Sequence, residues 1–151
     1  MTGFSVRASV EVDPTTLRRS DQGAISGVVR LRLGSLPFPE KGWNDLPVAL
    51  VRMWLEALRT VRAGKAIEAE CPFMDGPFLF RVHQASSAWR IEYLANGSIA
   101  QVELVNPDEL WNSIVEAGRM LVNECDEKGW HGGEVQELGH LLSQLARERA
   151  V

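Results

Sequence analysis

The chain has 151 residues and a mass of 16.8 kDa, enough for one domain with a substantial core and short of what two ordinary domains need. Its 45% hydrophobic and 24% charged residues match globular averages, which excludes whole-chain disorder, collagen-like repeats and low-complexity behaviour. Sixteen Lys and Arg against twenty Asp and Glu give a formal charge of -4 and a pI near 5.4, which argues against a dedicated binder of nucleic acid or anionic membranes.

The N-terminus, MTGFSVRASVEVD, has neither a basic start leading into an apolar run nor a small-residue cleavage site, so no secretory signal is expected. Leu46 to Val51 is interrupted at Arg52, far short of the roughly 18 to 20 apolar residues that cross a bilayer. The expectation is a soluble cytoplasmic protein with Cys71 and Cys125 reduced and placed on apolar faces.

From Phe4 to Val12 apolar and polar residues alternate, predicting a half-buried strand. DPTTLRRSDQG is rich in turn formers, and Val29, Leu31 and Leu33 then alternate with Arg30 and Arg32 in a second strand, antiparallel to the first. GSLPFPEKGWND reads as a loop whose Phe38 and Trp43 tuck back against the body. Asn44 or Asp45 is positioned to cap a helix with Pro47 in its first turn. Val48, Val51, Leu55 and Leu58 beside Leu50, Trp54, Ala57 and Val61 give that helix a wide apolar stripe, ended by Gly64.

Four strands in hairpin series follow. Ile67, Ala69 and Cys71 mark the first, and Phe78, Phe80 and Val82 the second, across a turn at Asp75-Gly76. Trp89, Ile91 and Tyr93 mark the third. Asn96-Gly97 predicts a type I′ turn into the fourth, where Ala100, Val102 and Leu104 alternate with Gln101 and Glu103. After Asn106-Pro107 the period becomes helical, with Leu110, Trp111, Ile114, Leu121 and Cys125 on one face. A Gly-rich break at Lys128 to Gly133 separates this helix from a last one carrying Val135, Leu138, Leu141, Leu142 and Leu145. The expected fold is a single α+β domain over residues 1–151, a mainly antiparallel six-stranded sheet with helices on one face.

The phosphate-cradling and common hydrolase patterns, GxxxxGK[ST], GxGxxG, GxSxG and HExxH, do not occur, and the chain is expected not to be an enzyme. Cys125 and His131 form the nearest Cys and His pair, in a setting that reads as packing. Cys71, Cys125, His131 and His140 include zinc-ligand types without the close paired spacing of structural zinc sites, so no metal or cofactor is expected. Asp75, Arg81 and His83 define the alternative, a small-ligand site or an enzyme of unrecognised type; an adaptor subunit of a defence or secretion assembly is a third reading. Trp130, in the Gly-rich break, is either a plug over the helix junction or an anchor for a partner.

Charge is unevenly distributed. Residues 1 to 75 carry ten basic and nine acidic side chains, net +1, and residues 76 to 151 carry six and eleven, net -5. The expected partner-binding residues lie in this acidic half: Glu109, Glu116, Asp126, Glu127 and Trp130. Such a field repels nucleic acid and steers a basic protein.

FPEKGWND before a Trp-bearing helix, and FMDGPF followed by a strand and then a Trp-containing strand, resemble uncharacterised small bacterial proteins. In size and organisation these are similar to immunity proteins of polymorphic and contact-dependent toxin systems. The resemblance spans roughly residues 36 to 130 and implies a cytoplasmic, non-catalytic protein that neutralises a cognate protein toxin, such as a basic nuclease domain, by binding it. It transfers no individual site residue.

Overall fold

Strict alternation builds the first long pair of strands in the computed structural model, which describes residues 6–150, excluding the side chains of 149 and 150. Strands β1 (Ala8–Val12) and β3 (Ile25–Leu33) run antiparallel, with Ala8 opposite Leu33 and Val10 opposite Leu31. Phe4 and Ser5, the expected start of β1, lie outside the described residues. Strand β3 begins four residues before the expected Val29. Gly27 conceals the pattern there, because a Cβ at this position would come within 2.8 Å of the Leu17 side chain.

Two more strands arise where a loop is expected. Strands β4 (Leu36–Phe38) and β5 (Asn44–Asp45) both pair with β3, as does the short β2 (Arg18–Arg19). The result is a five-stranded antiparallel sheet centred on β3. A second sheet holds β6 (Glu68–Pro72), β7 (Phe78–Ala85), β8 (Ala88–Ala95) and β9 (Ser98–Val105) in sequential antiparallel order. The α+β class and the antiparallel pairing agree with the sequence reading, but the single six-stranded sheet is corrected to two sheets. Strands of two or three residues leave no periodicity to read, and helix α1 (Pro47–Arg62) separates β5 from β6.

Asn96 and Gly97 both have positive φ, 54° and 79°, as a type I′ turn requires. A bulge between Tyr93 and Leu94 then sets the β9 register, with Gln101 opposite Tyr93 and Glu103 opposite Ile91. The apolar row of β9 therefore lies on the face away from Ile91 and Tyr93, and Val102 remains 45% exposed. Ile67, expected in the apolar row of β6, precedes the strand and is 79% exposed.

Helix α1 buries Val48, Leu50, Val51, Trp54, Leu55, Leu58 and Val61, and Trp54 Nε1 donates to the Pro72 carbonyl at 2.8 Å. The residue preceding the helix is Leu46, with no capping side chain; Asp45 is engaged elsewhere. In α2 (Pro107–Glu127) the Asn106 side chain does cap, accepting from the N–H groups of Asp108 and Glu109. A Cβ on Gly118 of α2 would come within 3.2 Å of Leu142, so glycine permits the close approach of α3 (Gly133–Ala150).

Ion pairs fix the helix directions. Arg62 at the end of α1 meets Asp108 at the start of α2. Arg52 meets Glu137 and Arg59 meets Glu148, so α3 runs parallel to α1. The corner between α2 and α3 consequently lies at the N-terminal end of α1, where the chain leaves Asp45. Among the described residues, no helix is long and apolar enough to cross a membrane.

Candidate functional site

The sequence-predicted acidic residues share one helix but not one patch. Glu109 and Glu127 stand 18 residues apart on α2, about 27 Å along the axis at a rise of about 1.5 Å per residue. Glu109 is committed internally: its carboxylate accepts the backbone N–H of Ala8 at 2.8 Å and faces Arg7 at 3.3 Å. Ser113, one turn on, accepts the N–H of Val10 at 2.8 Å. These two side chains replace a missing neighbour along β1, an edge strand of the first sheet. Glu116 is exposed and pairs with Arg119 at 2.6 Å.

The other three expected residues gather at the corner between α2 and α3. Asp126 and Glu127 are exposed in the last turn of α2, and Glu134 lies in the first turn of α3. Trp130 is half-buried, packed against the core, and its backbone N–H donates to the Cys125 carbonyl at 2.8 Å. The Lys128 ammonium lies 5.7 Å from the Trp130 ring centroid and 3.7 Å from Glu124. His131 faces Asp126 at 3.4 Å. The ring thus serves both as a plug and as a surface able to receive a cation.

Elsewhere the charge asymmetry is neutralised by folding. Arg7, Arg52, Arg59 and Arg62 of the first half pair with Glu109, Glu137, Glu148 and Asp108 of the second. Three of these pairs involve arginines of α1, and Arg52, Arg59 and Arg62 all line an open groove of about 1330 Å³ against α3. None of the four reaches Asp126, Glu127 or Glu134.

Asp75, Arg81 and His83 are not brought together. Arg81 and His83 lie on one face of β7, where both contact Glu92 of β8, at 3.3 and 2.8 Å. Arg81 also binds Glu70, and His83 faces Glu68. The His83 hydrogen bond holds the Glu92 carboxyl below the usual carboxylate range, against an opposing effect of burial and with help from Arg81. This is a saturated ladder across three strands. Asp75 sits instead at the tip of the β6–β7 hairpin.

That tip is held by a residue the sequence reading placed only as a possible helix cap. Asp45 is 3% exposed. Its carboxylate accepts from Trp43 Nε1 at 2.9 Å, Leu46 N at 2.8 Å, Met74 N at 3.3 Å and Asp75 N at 3.1 Å. The two motifs FPEKGWND and FMDGPF are thereby joined through one buried carboxylate, and Trp43 packs edge-on against Phe78 and Phe73. Nothing in the local sequence marks Asp45 as the latch, since the two backbone donors that tie it to the tip lie 29 and 30 residues away.

Cys71 and Cys125 are both buried free thiols. Burial pushes both up, opposite to the direction that activates a nucleophile. Among the described residues, no three His, Cys, Asp or Glu side chains form a group able to hold a metal ion. Compared with known proteins, the chain matches no family model, no curated protein and no solved structure.

Proposed function

We propose that this chain is an immunity or inhibitor protein that binds and neutralises a toxin domain, docking a basic surface on the acidic corner between α2 and α3. The observation that carries this reading is the selective pairing of charge. Ion pairs to first-half arginines take up Asp108, Glu109, Glu137 and Glu148, while Asp126, Glu127 and Glu134, in the turns that flank the half-buried Trp130 along the chain, meet none of these arginines. An aromatic anchor rimmed by charge is the arrangement of a binding hot spot. Against a nuclease, these carboxylates stand where nucleic-acid phosphates bind.

Co-expression with the protein encoded immediately upstream tests the proposal. Rescue from toxicity and co-purification are expected. Reversing Asp126 and Glu127 to Lys slows association by about tenfold or more at low salt, the difference shrinking as salt is added. Absence of both rescue and co-purification overturns the reading.

A further inference from the structure

The hairpin tip Met74–Pro77 combines a fixed backbone with free side chains. Its backbone and that of its flank are tied by four hydrogen bonds. Met74 N and Asp75 N donate to the buried Asp45 carboxylate, Phe73 N donates to Phe78 O at 3.1 Å, and Asn96 N of the neighbouring hairpin donates to Pro77 O at 2.9 Å. Gly76, at φ 74°, is closed in by Phe78 and Trp43 at 3.1 Å from a would-be Cβ. Yet Met74, Asp75, Gly76 and Pro77 are all exposed, Met74 by 53%.

Core packing accounts for Phe73 and Phe78 and not for what lies between them. A buried carboxylate is costly unless its lone pairs are satisfied. Here two of the four donors that satisfy it belong to residues whose side chains add nothing to the core. Such bracing lowers the ordering cost of binding, because the loop is set in its bound shape before any partner arrives. Met74 offers an adaptable thioether chain for an apolar pocket, with the Asp75 carboxylate beside it.

We infer that this tip is an inserting loop: Met74 and Asp75 enter an apolar, cation-rimmed cleft on a protein partner. The inference rests on the binding-protein reading above and deepens it. Asp45 lies two residues before the start of α1, and the acidic corner lies at that same end of the helix, so one basic partner reaches both. Its cleft supplies an apolar wall for Met74 and a Lys or Arg for Asp75.

Two measurements on the full chain test the tip. Hydrogen exchange at the Met74 and Asp75 amides is slowed at least about tenfold relative to an unstructured peptide; exchange at the unstructured rate overturns the inference whatever the partner. Binding to the purified upstream-encoded protein is then compared for wild type, M74A/D75N and D126K/E127K. The tip variant weakens affinity by at least about tenfold with Tm unchanged. Wild-type binding that D126K/E127K weakens and M74A/D75N does not overturns the inserting loop and leaves the acidic corner standing. No binding by wild type overturns both.

Discussion

The backbone N–H of Ala8 donates to the Glu109 carboxylate at 2.8 Å, across 101 positions of sequence. An edge strand exposes a row of unpaired backbone groups, and here a helix closes it with side chains: Glu109 takes Ala8 and Ser113 takes Val10. A residue that reads in sequence as part of an acidic docking face is thus a piece of the first sheet. Glu109→Ala is expected to cost about 1 to 3 kcal/mol and Ser113→Ala about 1 kcal/mol. Glu127→Lys, on the exposed end of the same helix, changes stability by less than about 0.5 kcal/mol. Urea unfolding of the three variants checks the ordering; equal midpoints for E109A and E127K contradict it.

Asp45 carries a larger burden. Removing its carboxylate leaves the indole N–H of Trp43 and three backbone N–H groups without their acceptor beneath an aromatic cluster. Asp45→Ala should cost about 3 to 5 kcal/mol, and Asp45→Asn, which keeps the shape and one acceptor oxygen, about 1 to 3. Denaturant titration gives the values. A cost below about 1 kcal/mol for D45A is incompatible with the latch.

The long elements were legible because each buries one face and so repeats at period two or 3.6. Ala8 to Val12, Phe78 to Ala85 and all three helices fall where alternation or helical spacing puts them. What could not be read has a common cause, dependence on partners distant in sequence. Strands β4 and β5 exist because β3 offers them an edge, and the inward face of β9 is set by a register shift against β8 that leaves Ala100 without an opposite residue between Tyr93 and Leu94. The acidic half was visible as a total, while its distribution was not. Arg52, Arg59 and Arg62 lie on α1 and neutralise carboxylates 46 to 89 positions away, which concentrates the remaining charge near Trp130. Of the expected binding residues, Asp126, Glu127 and Trp130 share that corner; Glu109 does not.

Acid should destabilise the fold through Glu92 and Glu11. The His83 hydrogen bond, then Arg81, hold Glu92 below its ordinary 4.5 against partial burial. For Glu11 burial acts upward, and hydrogen bonds from Arg32 and Arg30 outweigh it, so its carboxyl is lowered as well. A carboxyl with a folded value below its unfolded one binds fewer protons when native, so its stabilisation is complete above about pH 4.5 and is lost as pH falls through the folded value. Urea midpoints measured between about pH 3 and 7 should decline below about 4.5, and E92Q and E11Q should each flatten that decline. An unchanged acid limb in both variants contradicts the assignment.

Gly76 and Gly97 separate packing from backbone strain. Both have positive φ, 74° and 79°, a region where an L side chain costs roughly 1 to 2 kcal/mol. Around Gly97 nothing lies within 4 Å of an added Cβ, whereas at Gly76 that Cβ meets the Phe78 ring and Trp43 at 3.1 Å. Those rings are wedged between the hairpin tip and the start of α1, and the Trp43 indole is tied to Asp45, so neither gives way without loosening the latch. Gly97→Ala should therefore cost about 1 kcal/mol and leave the indole environment unchanged. Gly76→Ala should cost about 2 to 3 kcal/mol and alter Trp43 fluorescence, read against a Trp43→Phe background. Equal costs at the two positions would show that the tip is not packed against Trp43, and the braced geometry from which the inserting loop was inferred would fall with it.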